Sequence, residues 1–250
     1  MKPILETRNL VKRFGALAVT RDVNLSLQKG ARHALIGPNG AGKTTLVNLI
    51  TGVLRPNGGQ VLLDGADVTH RTQAERVKRG LARTFQINQL FRELTVLENV
   101  VMSVAERTGA AATLWRRAST NTAAIDEAME ILTRLNLDDH ALTPVRKLPY
   151  GRQRLVEIAI TLGQRPVVLL LDEPAAGVPS AESHIILDVI GGLADDIAIL
   201  IIEHDMDIVF RFAKSITVLV SGGVLVEGTP DEIARDPRVK AVYLGEQADV

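Results

Sequence analysis

Residues 37–44 read, in order, Gly37-Pro38-Asn39-Gly40-Ala41-Gly42-Lys43-Thr44. This stretch fits the pattern G-x-x-x-x-G-K-[ST], and it lies between a short apolar run and a helical pattern that continues to Ile50. Its glycines let successive backbone N–H groups turn toward an anion, and the positive end of the following helix dipole points at the same place. The stretch therefore predicts a phosphate-binding loop between a strand and a helix. We expect Lys43 to reach nucleotide phosphates and the Thr44 hydroxyl to bind Mg²⁺.

A second segment supplies carboxylates. The aliphatic run 167–171 ends directly at Asp172 and Glu173, which is typical of a buried parallel strand that places acidic groups at its carboxyl end. Alone, this pattern more often marks an ordinary strand end. With the phosphate loop upstream, we expect Asp172 to hold Mg²⁺, directly or through water. Glu173 would then polarise the attacking water as a general base.

Three single residues are further candidates. His204 follows the apolar run 199–202 and Glu203, where a neutral imidazole could touch a γ-phosphate or orient water. The amide of Gln86 could reach Mg²⁺ or water, and Phe14 could stack on a base. Each has an ordinary structural interpretation as well: a strand-end histidine, a surface glutamine and a core phenylalanine. They support a nucleotide site only as a set.

Composition restricts the partners. The 250 residues contain 29 Lys plus Arg and 29 Asp plus Glu, so no general attraction to nucleic acid or acidic membranes is predicted. There is no cysteine, which fits a reducing cytoplasm. The first twelve residues lack a signal-peptide apolar core, and the longest aliphatic runs are far shorter than the roughly 20 residues that span a bilayer. A membrane role would require partners.

Periodicity predicts an α/β fold with a mainly parallel sheet. Five short β-like runs alternate with helical stretches: residues 33–36, 60–63, 167–171, 198–202 and 216–220. Helices are expected over 122–137 and from about Arg152 to Leu162, where Gly163 and Pro166 are stop signals. Between Gln86 and Thr120 the periodicity is poor. No repeat or long linker divides the chain, so one compact unit with sub-regions is expected.

Taken in order, these features resemble the nucleotide-binding subunit of ATP-binding cassette (ABC) transporters over essentially the whole chain. The resemblance assigns Phe14 to base stacking, residues 37–45 (with Thr45) to the phosphates, Gln86 to metal and water, Asp172 to metal, and Glu173 and His204 to catalysis. Its signature segment, usually L-S-G-G-Q, is similar to Leu148-Pro149-Tyr150-Gly151-Arg152-Gln153. In that family two cassettes pack head to tail, so Tyr150, Gly151, Arg152 and Gln153 would contact the ATP held by a partner.

A narrower resemblance is to LivG-type cassettes of branched-chain amino acid importers and their relatives for urea, amides and small acids. It depends on four stretches, which are residues 80–86, 90–100, 173–177 and the tail from Gly228 through Glu246. The lipopolysaccharide-export cassette has a similar tail. However, Arg83-Thr84-Phe85-Gln86 and Ala175-Ala176-Gly177 favour the importer group.

The resemblance implies one nucleotide-binding domain over 1–250. An ATPase core with an N-terminal antiparallel β subdomain would occupy 1–85 and 167–227, a helical subdomain 86–165, and a family tail 228–250. ATP and Mg²⁺ would be its cofactors. Its partners would be a second cassette, transmembrane permease subunits and, indirectly, a solute-binding protein, with no nucleic acid. It would lie peripherally at the cytoplasmic face of the inner membrane.

Two prolines depart from the family pattern. Pro149 stands where the family usually has serine, and proline offers neither a hydroxyl nor a backbone N–H. Pro179 stands where Asp or Asn is common. Both positions belong to the surface that the family offers to its partner. Our hypothesis is that the chain pairs with a different cassette, a homodimer being the alternative, and lends its partner a weakened half-site.

Other functions fit the residues less well. A soluble cassette of translation or DNA repair usually has two cassettes or a long coiled coil, and this chain has one cassette without sustained heptads. A small-molecule kinase or GTPase would leave the signature segment, Gln86 and His204 unexplained. We therefore expect an ATPase that powers import of branched-chain amino acids or related small polar solutes.

Overall fold

The computed structural model describes residues 2–84, 90–109 and 122–244. Its strands are β1 (Leu5–Phe14), β2 (Leu17–Leu27), β3 (Arg32–Ile36), β4 (Gly58–Leu63), β5 (Ala66–Asp67), β6 (Leu81–Arg83), β7 (Val168–Asp172), β8 (Ala198–Ile202), β9 (Ser215–Val220) and β10 (Gly223–Gly228). Its α-helices are α1 (Lys43–Thr51), α2 (Gln73–Val77), α3 (Val96–Arg107), α4 (Thr122–Arg134), α5 (Tyr150–Leu162), α6 (Ser180–Gly191), α7 (Met206–Phe212), α8 (Pro230–Arg235) and α9 (Pro237–Leu244).

The chain divides into two units. The first contains Met1–Leu81, Val167–Glu173 and Ala194–Val250, and the second contains Ala82–Pro166 and Pro174–Leu193. The first unit holds β1–β5 and β7–β10, the second holds α3 to α6, and β6 crosses the boundary between them at Leu81. The chain therefore enters and leaves the first unit twice.

The larger sheet has the order β10-β9-β3-β8-β7-β6, and β9, β3, β8 and β7 run parallel. All five residues of β3, of β7 and of β8 are buried, including the polar Arg32 and His33 of β3, as expected for central strands of a parallel sheet. Because these strands are parallel, their carboxyl ends meet at one edge. This edge receives the phosphate loop from β3, the two acidic residues from β7, and His204 from β8.

The smaller sheet has the order β2-β1-β4-β5, and its neighbouring strands pair antiparallel. The prediction that 60–63 belongs to the parallel pattern was wrong, because β4 pairs antiparallel with β1. This strand belongs to a sheet whose strands all pair antiparallel, and β4 and β5 themselves form a hairpin through Asp64 and Gly65 with no helix between them. Leucine, valine, isoleucine and alanine side chains from both sheets and α1 form the core of the first unit.

The second unit is a helical cluster in which polar groups join the helices. Ser103 Oγ on α3 donates to the Ile160 carbonyl of α5 at 2.6 Å, and Gln164 Nε2 donates to Ser103 O at 2.7 Å. Glu127 on α4 accepts from both Arg107 and Arg165. The predicted helix 122–137 ends earlier, at Arg134, because Asn136 adopts a left-handed φ of 55°. Helix α5 ends at Leu162 before Gly163, as predicted.

Candidate active site

The phosphate loop is shaped by close backbone contacts that need glycine. A Cβ on Gly37 would lie 2.1 Å from the Leu219 carbonyl oxygen, and one on Gly42 would lie 2.6 Å from the Val19 carbonyl oxygen. Gly42 is also the N-cap of α1, with φ 99°, and contributes no side-chain cap. The first N–H groups of α1 therefore start without a side-chain acceptor, which is the arrangement that binds anions.

Lys43 is folded back over this loop. Its Nζ donates to the carbonyls of Gly37 at 2.5 Å and Pro38 at 3.2 Å. Burial lowers the pKa of Lys43, and the negative charges of Glu173 and Asp172 oppose that shift. The ammonium thus contacts the loop carbonyls and is influenced by the charges of the two acidic residues, an environment suited to binding phosphate oxygens.

Asp172 and Glu173 complete the end of β7 beside β8. Asp172 is buried and stands opposite Ile202, while the Glu173 N–H donates to the Ile202 carbonyl at 2.9 Å. Glu173 adopts a left-handed φ of 46°, which non-glycine residues adopt at an energetic cost. This turn directs Glu173 Oε1 to 3.3 Å from Nδ1 of the exposed His204. The structure therefore brings Glu173 and His204 together.

Glu203 is a feature that sequence reasoning missed as a site residue. Its side chain is 2% exposed, and its Oε2 accepts from the His204 N–H at 3.2 Å. Burial, with the nearby charge of Glu173 acting in the same direction, raises the pKa of Glu203 to about 7. The signal available in the sequence was a carboxylate placed directly after the aliphatic run 199–202, where burial is expected to continue.

The remaining loop residues and Phe14 fall in the same unit. Asn39, Gly40 and Thr44 are exposed, Thr45 is half-buried, and Ala41 is buried. Phe14 ends β1 with 49% of its surface exposed, and Lys12 Nζ lies 5.2 Å from its ring centroid. An exposed ring is accessible to a base, unlike the core phenylalanine of the alternative interpretation. Gln86 lies outside the described residues.

The predicted magnesium ligands fit a metal shared with phosphate. Thr44 offers a hydroxyl in the first turn of α1 and Asp172 a carboxylate at the end of β7, which are oxygen donors of the kind Mg²⁺ prefers. No group of three or more His, Cys, Asp or Glu residues that could hold a metal occurs within 2–84, 90–109 and 122–244. A hydroxyl and one carboxylate suit an ion that takes its other ligands from phosphate and water.

The signature segment belongs to the second unit. Pro149 is the N-cap of α5 and provides no side-chain cap. Tyr150 is 39% exposed, with Arg154 Cζ 5.1 Å from its ring centroid, and Arg152 is exposed. In contrast, Gly151 and Gln153 are buried, and Gln153 Nε2 donates to the Leu148 carbonyl at 2.9 Å. Tyr150 and Arg152 are therefore the predicted signature residues whose side chains are accessible.

Pro179 lies in the same unit and begins α6 in the same way. It is the N-cap of that helix and makes no side-chain cap hydrogen bond. Its carbonyl accepts from Ser183 Oγ at 3.2 Å. Gly177, just before it, has φ 75°, and a Cβ there would lie 3.3 Å from the Tyr150 ring. Both prolines thus occupy helix starts that lack a side-chain cap.

Family models match two parts of the chain. The model described as ABC transporter matches residues 20–176, and the model described as branched-chain amino acid ATP-binding cassette transporter matches residues 224–249. The second match includes α8 and α9. No helix among the described residues is long and apolar enough to cross a membrane.

Curated relatives and solved structures agree with these matches. The chain is 39% identical over 254 residues to the high-affinity branched-chain amino acid transport ATP-binding protein LivG of Escherichia coli K12, covering 98% of this chain and 99% of LivG. It is 37% identical to BraF of Pseudomonas aeruginosa, with coverage of 98% and 99%. The crystal structure of the ADP conformation of MJ1267, an ATP-binding cassette of an ABC transporter, superposes with a TM-score of 0.87 at 34% identity, covering 98% of this chain and 100% of MJ1267.

Proposed function

Because the chain belongs to the ABC transporter family, as an ATP-binding cassette, we propose that it hydrolyses ATP to energise an importer of branched-chain amino acids or related small polar solutes. The observation that carries this proposal is the common edge of β3, β7 and β8, where Lys43, Asp172, Glu173 and His204 lie in one unit. The match of residues 224–249 and the names of LivG and BraF support import over the lipopolysaccharide-export alternative.

In this proposal each residue has a defined task. The loop residues 37–45 surround the phosphates, and Lys43 neutralises their charge. Thr44 and Asp172, with Gln86, would hold Mg²⁺, which would supply positive charge to the phosphates. Glu173 accepts a proton from the attacking water, and His204 keeps the Glu173 carboxylate in place through the 3.3 Å contact of Nδ1 with Oε1. Phe14 stacks on the base.

We further propose that the site is completed by a second cassette. The cassette MJ0796, 25% identical with a TM-score of 0.75, is described as dimeric, which supports this assembly. Tyr150, Gly151, Arg152 and Gln153 would face the partner's ATP, with Tyr150 and Arg152 providing the accessible side chains. The chain itself would lie peripherally at the cytoplasmic face of the inner membrane, bound to transmembrane permease subunits, with a solute-binding protein as an indirect partner. Within the chain, 1–85 and 167–227 would form the ATPase core, 86–165 the helical subdomain and 228–250 the tail.

Replacing the proposed base tests this function. We expect Glu173→Gln to bind MgATP normally and to lose about 100-fold or more of kcat, because the amide cannot accept the proton. Steady-state phosphate release with saturating MgATP measures kcat, and equilibrium titration of the same protein measures ATP binding. Glu227→Gln, in β10, is the matched control for loss of one glutamate charge. Rapid turnover by Glu173→Gln would overturn the assigned role.

A further inference from the structure

Glu203 is a buried carboxyl group that the proposed mechanism leaves unused. It directly follows β8, and only 2% of its surface is exposed. Oε2 accepts from the His204 N–H, whereas Oε1 is buried and has no hydrogen-bond partner among the residues that the structure describes. An ionised carboxylate with one unsatisfied buried oxygen is costly, while a protonated carboxyl is tolerated much better.

The His204 imidazole lies near both the Glu203 carboxyl group and Glu173, the proposed base. Its Nδ1 lies 3.3 Å from Glu173 Oε1 and 4.0 Å from Glu203 Oε2. A carboxylate can only accept, so Nδ1 must carry the hydrogen that either glutamate would use. At 3.3 Å Glu173 Oε1 is the nearer acceptor for this N–H, whereas Glu203 Oε2 at 4.0 Å would act on it through its charge when ionised. The two carboxyl groups also differ in environment: the Glu173 side chain is 25% exposed and the Glu203 side chain 2%.

The charged and polar groups around Glu203 determine whether its carboxyl group is protonated or ionised. From its own segment it faces His204 and the backbone N–H of Asp205, and from the end of β7 it faces Glu173. On the β3 side, the Glu203 N–H reaches the Leu35 carbonyl at 3.4 Å, and the Lys43 charge acts on Glu173 and Asp172. Burial dominates and raises the pKa of Glu203 to about 7. Phosphate charge added nearby would favour the protonated form further.

We propose that Glu203 is a positioning residue for ATP hydrolysis: protonated, it leaves the His204 Nδ1–H to Glu173, and ionised, it draws that N–H away. This inference rests on the roles of Glu173 and His204 proposed above. Ionisation also places a second negative charge beside Glu173 and the γ-phosphate. The kcat for ATP hydrolysis should therefore fall as the pH rises through the ionisation of Glu203. ATP binding should not change with this ionisation.

The test is the pH profile of Glu203→Gln, which keeps the size of the side chain and is always neutral. We expect the wild-type kcat to fall above neutral pH, with a limiting slope of about tenfold per pH unit, and the variant to lack that limb. Taking the ratio of the two proteins at each pH cancels the titration of MgATP itself. Glu157→Gln is the matched control, because Glu157 is also buried with a raised pKa but lies in α5 of the other unit. In Glu157→Gln, kcat should fall above neutral pH as it does in wild type.

A second readout does not depend on turnover. The infrared difference spectrum between wild type and Glu203→Gln should contain a protonated-carboxyl band below neutral pH that disappears above it. A pH-independent ratio of kcat from about pH 6 to about pH 9, or absence of that band, overturns the inference. If Glu173→Gln is inactive while the ratio is flat, only the role of Glu203 fails. If Glu173→Gln turns over rapidly, the proposed base itself fails.

Discussion

At the scale of single residues, His33 predicts how stability depends on pH. His33 is 2% exposed in β3, and its Nε2 lies 2.7 Å from Thr217 Oγ1, whose hydroxyl donates to Glu227 at 2.9 Å. Thr217 therefore accepts from His33 Nε2–H, which suits a neutral ring. Burial lowers the pKa of His33 from 6.5 to about 4.

The direction of this pH dependence of stability follows from comparing proton uptake by the folded and unfolded chains. Below pH 6.5 the unfolded chain takes up the proton that folded His33 refuses, so stability is lost as the pH falls from 6.5 toward 4. The loss should reach about 3 kcal/mol when complete. Urea unfolding of wild type and His33→Gln across this range measures it, since the difference isolates one group from the titrating carboxylates. If the free energy of unfolding changed with pH equally in wild type and His33→Gln, a neutral, buried His33 would be contradicted.

The sequence could predict which residues follow the parallel strands, but it gave little indication that one of them is buried. Lys43 was a candidate because of the phosphate-loop pattern, and Asp172, Glu173 and His204 because each follows an apolar strand. The structure places all four near the carboxyl ends of β3, β7 and β8, and their roles stay a prediction. Glu203 was missed because an isolated glutamate is ordinarily solvated, and the aliphatic run before it was a weak signal until the structure showed β8 packed between β3 and β7. The left-handed φ of Glu173 likewise depends on its neighbour, through the bond to the Ile202 carbonyl.

At the scale of elements, the buried strands were predictable and α3 was not. Helix α3 carries Asn99 and Ser103 on its buried face, and these interrupt the apolar periodicity that identifies a helix. Asn99 is satisfied by Phe91 and Thr95, and Ser103 by Ile160, so both polar groups are buried at little cost. Thr95 and Glu98 form a capping box, which was the available sequence signal for this helix.

The C-terminal helix α9 gives a prediction at this scale. Burial raises the pKa of the Tyr243 hydroxyl in α9, and the nearby backbone N–H of Gly37 opposes that shift. Because Gly37 begins the phosphate loop, we expect loss of this polar contact in Tyr243→Phe to weaken ATP binding about fivefold, or about 1 kcal/mol. Titration with MgATP measures the Kd. If Tyr243→Phe binds like wild type and Tyr243→Ala binds more weakly, ring packing rather than the hydroxyl supports the loop.

At the scale of the whole molecule, composition predicted the kind of core and motif order predicted the family. An apolar fraction of 46% with 3% aromatics implies an aliphatic interior, and the core cluster of the first unit contains only Leu, Val, Ile and Ala. The importer assignment could not come from such physical patterns, because the same sheet and loop serve many reactions. It depends on the order of the motifs and on the tail that matches residues 224–249.

The final prediction concerns the proposed assembly with a different cassette. Pro149 and Pro179 begin α5 and α6 without side-chain caps, and proline has no N–H to offer a partner's phosphate. The site formed by this chain's own phosphate loop would receive an intact signature, whereas the partner's loop would receive this altered one. Most ATP hydrolysis by the assembled pair should then occur at the site that contains Glu173. We expect Glu173→Gln to remove most of the ATPase activity, and the equivalent change in the partner to leave more than about half. Phosphate release by the two mixed assemblies, each with one chain mutated, measures this asymmetry. An equal or smaller loss from mutating Glu173 would contradict it, because a pair with two equivalent sites gives no such difference.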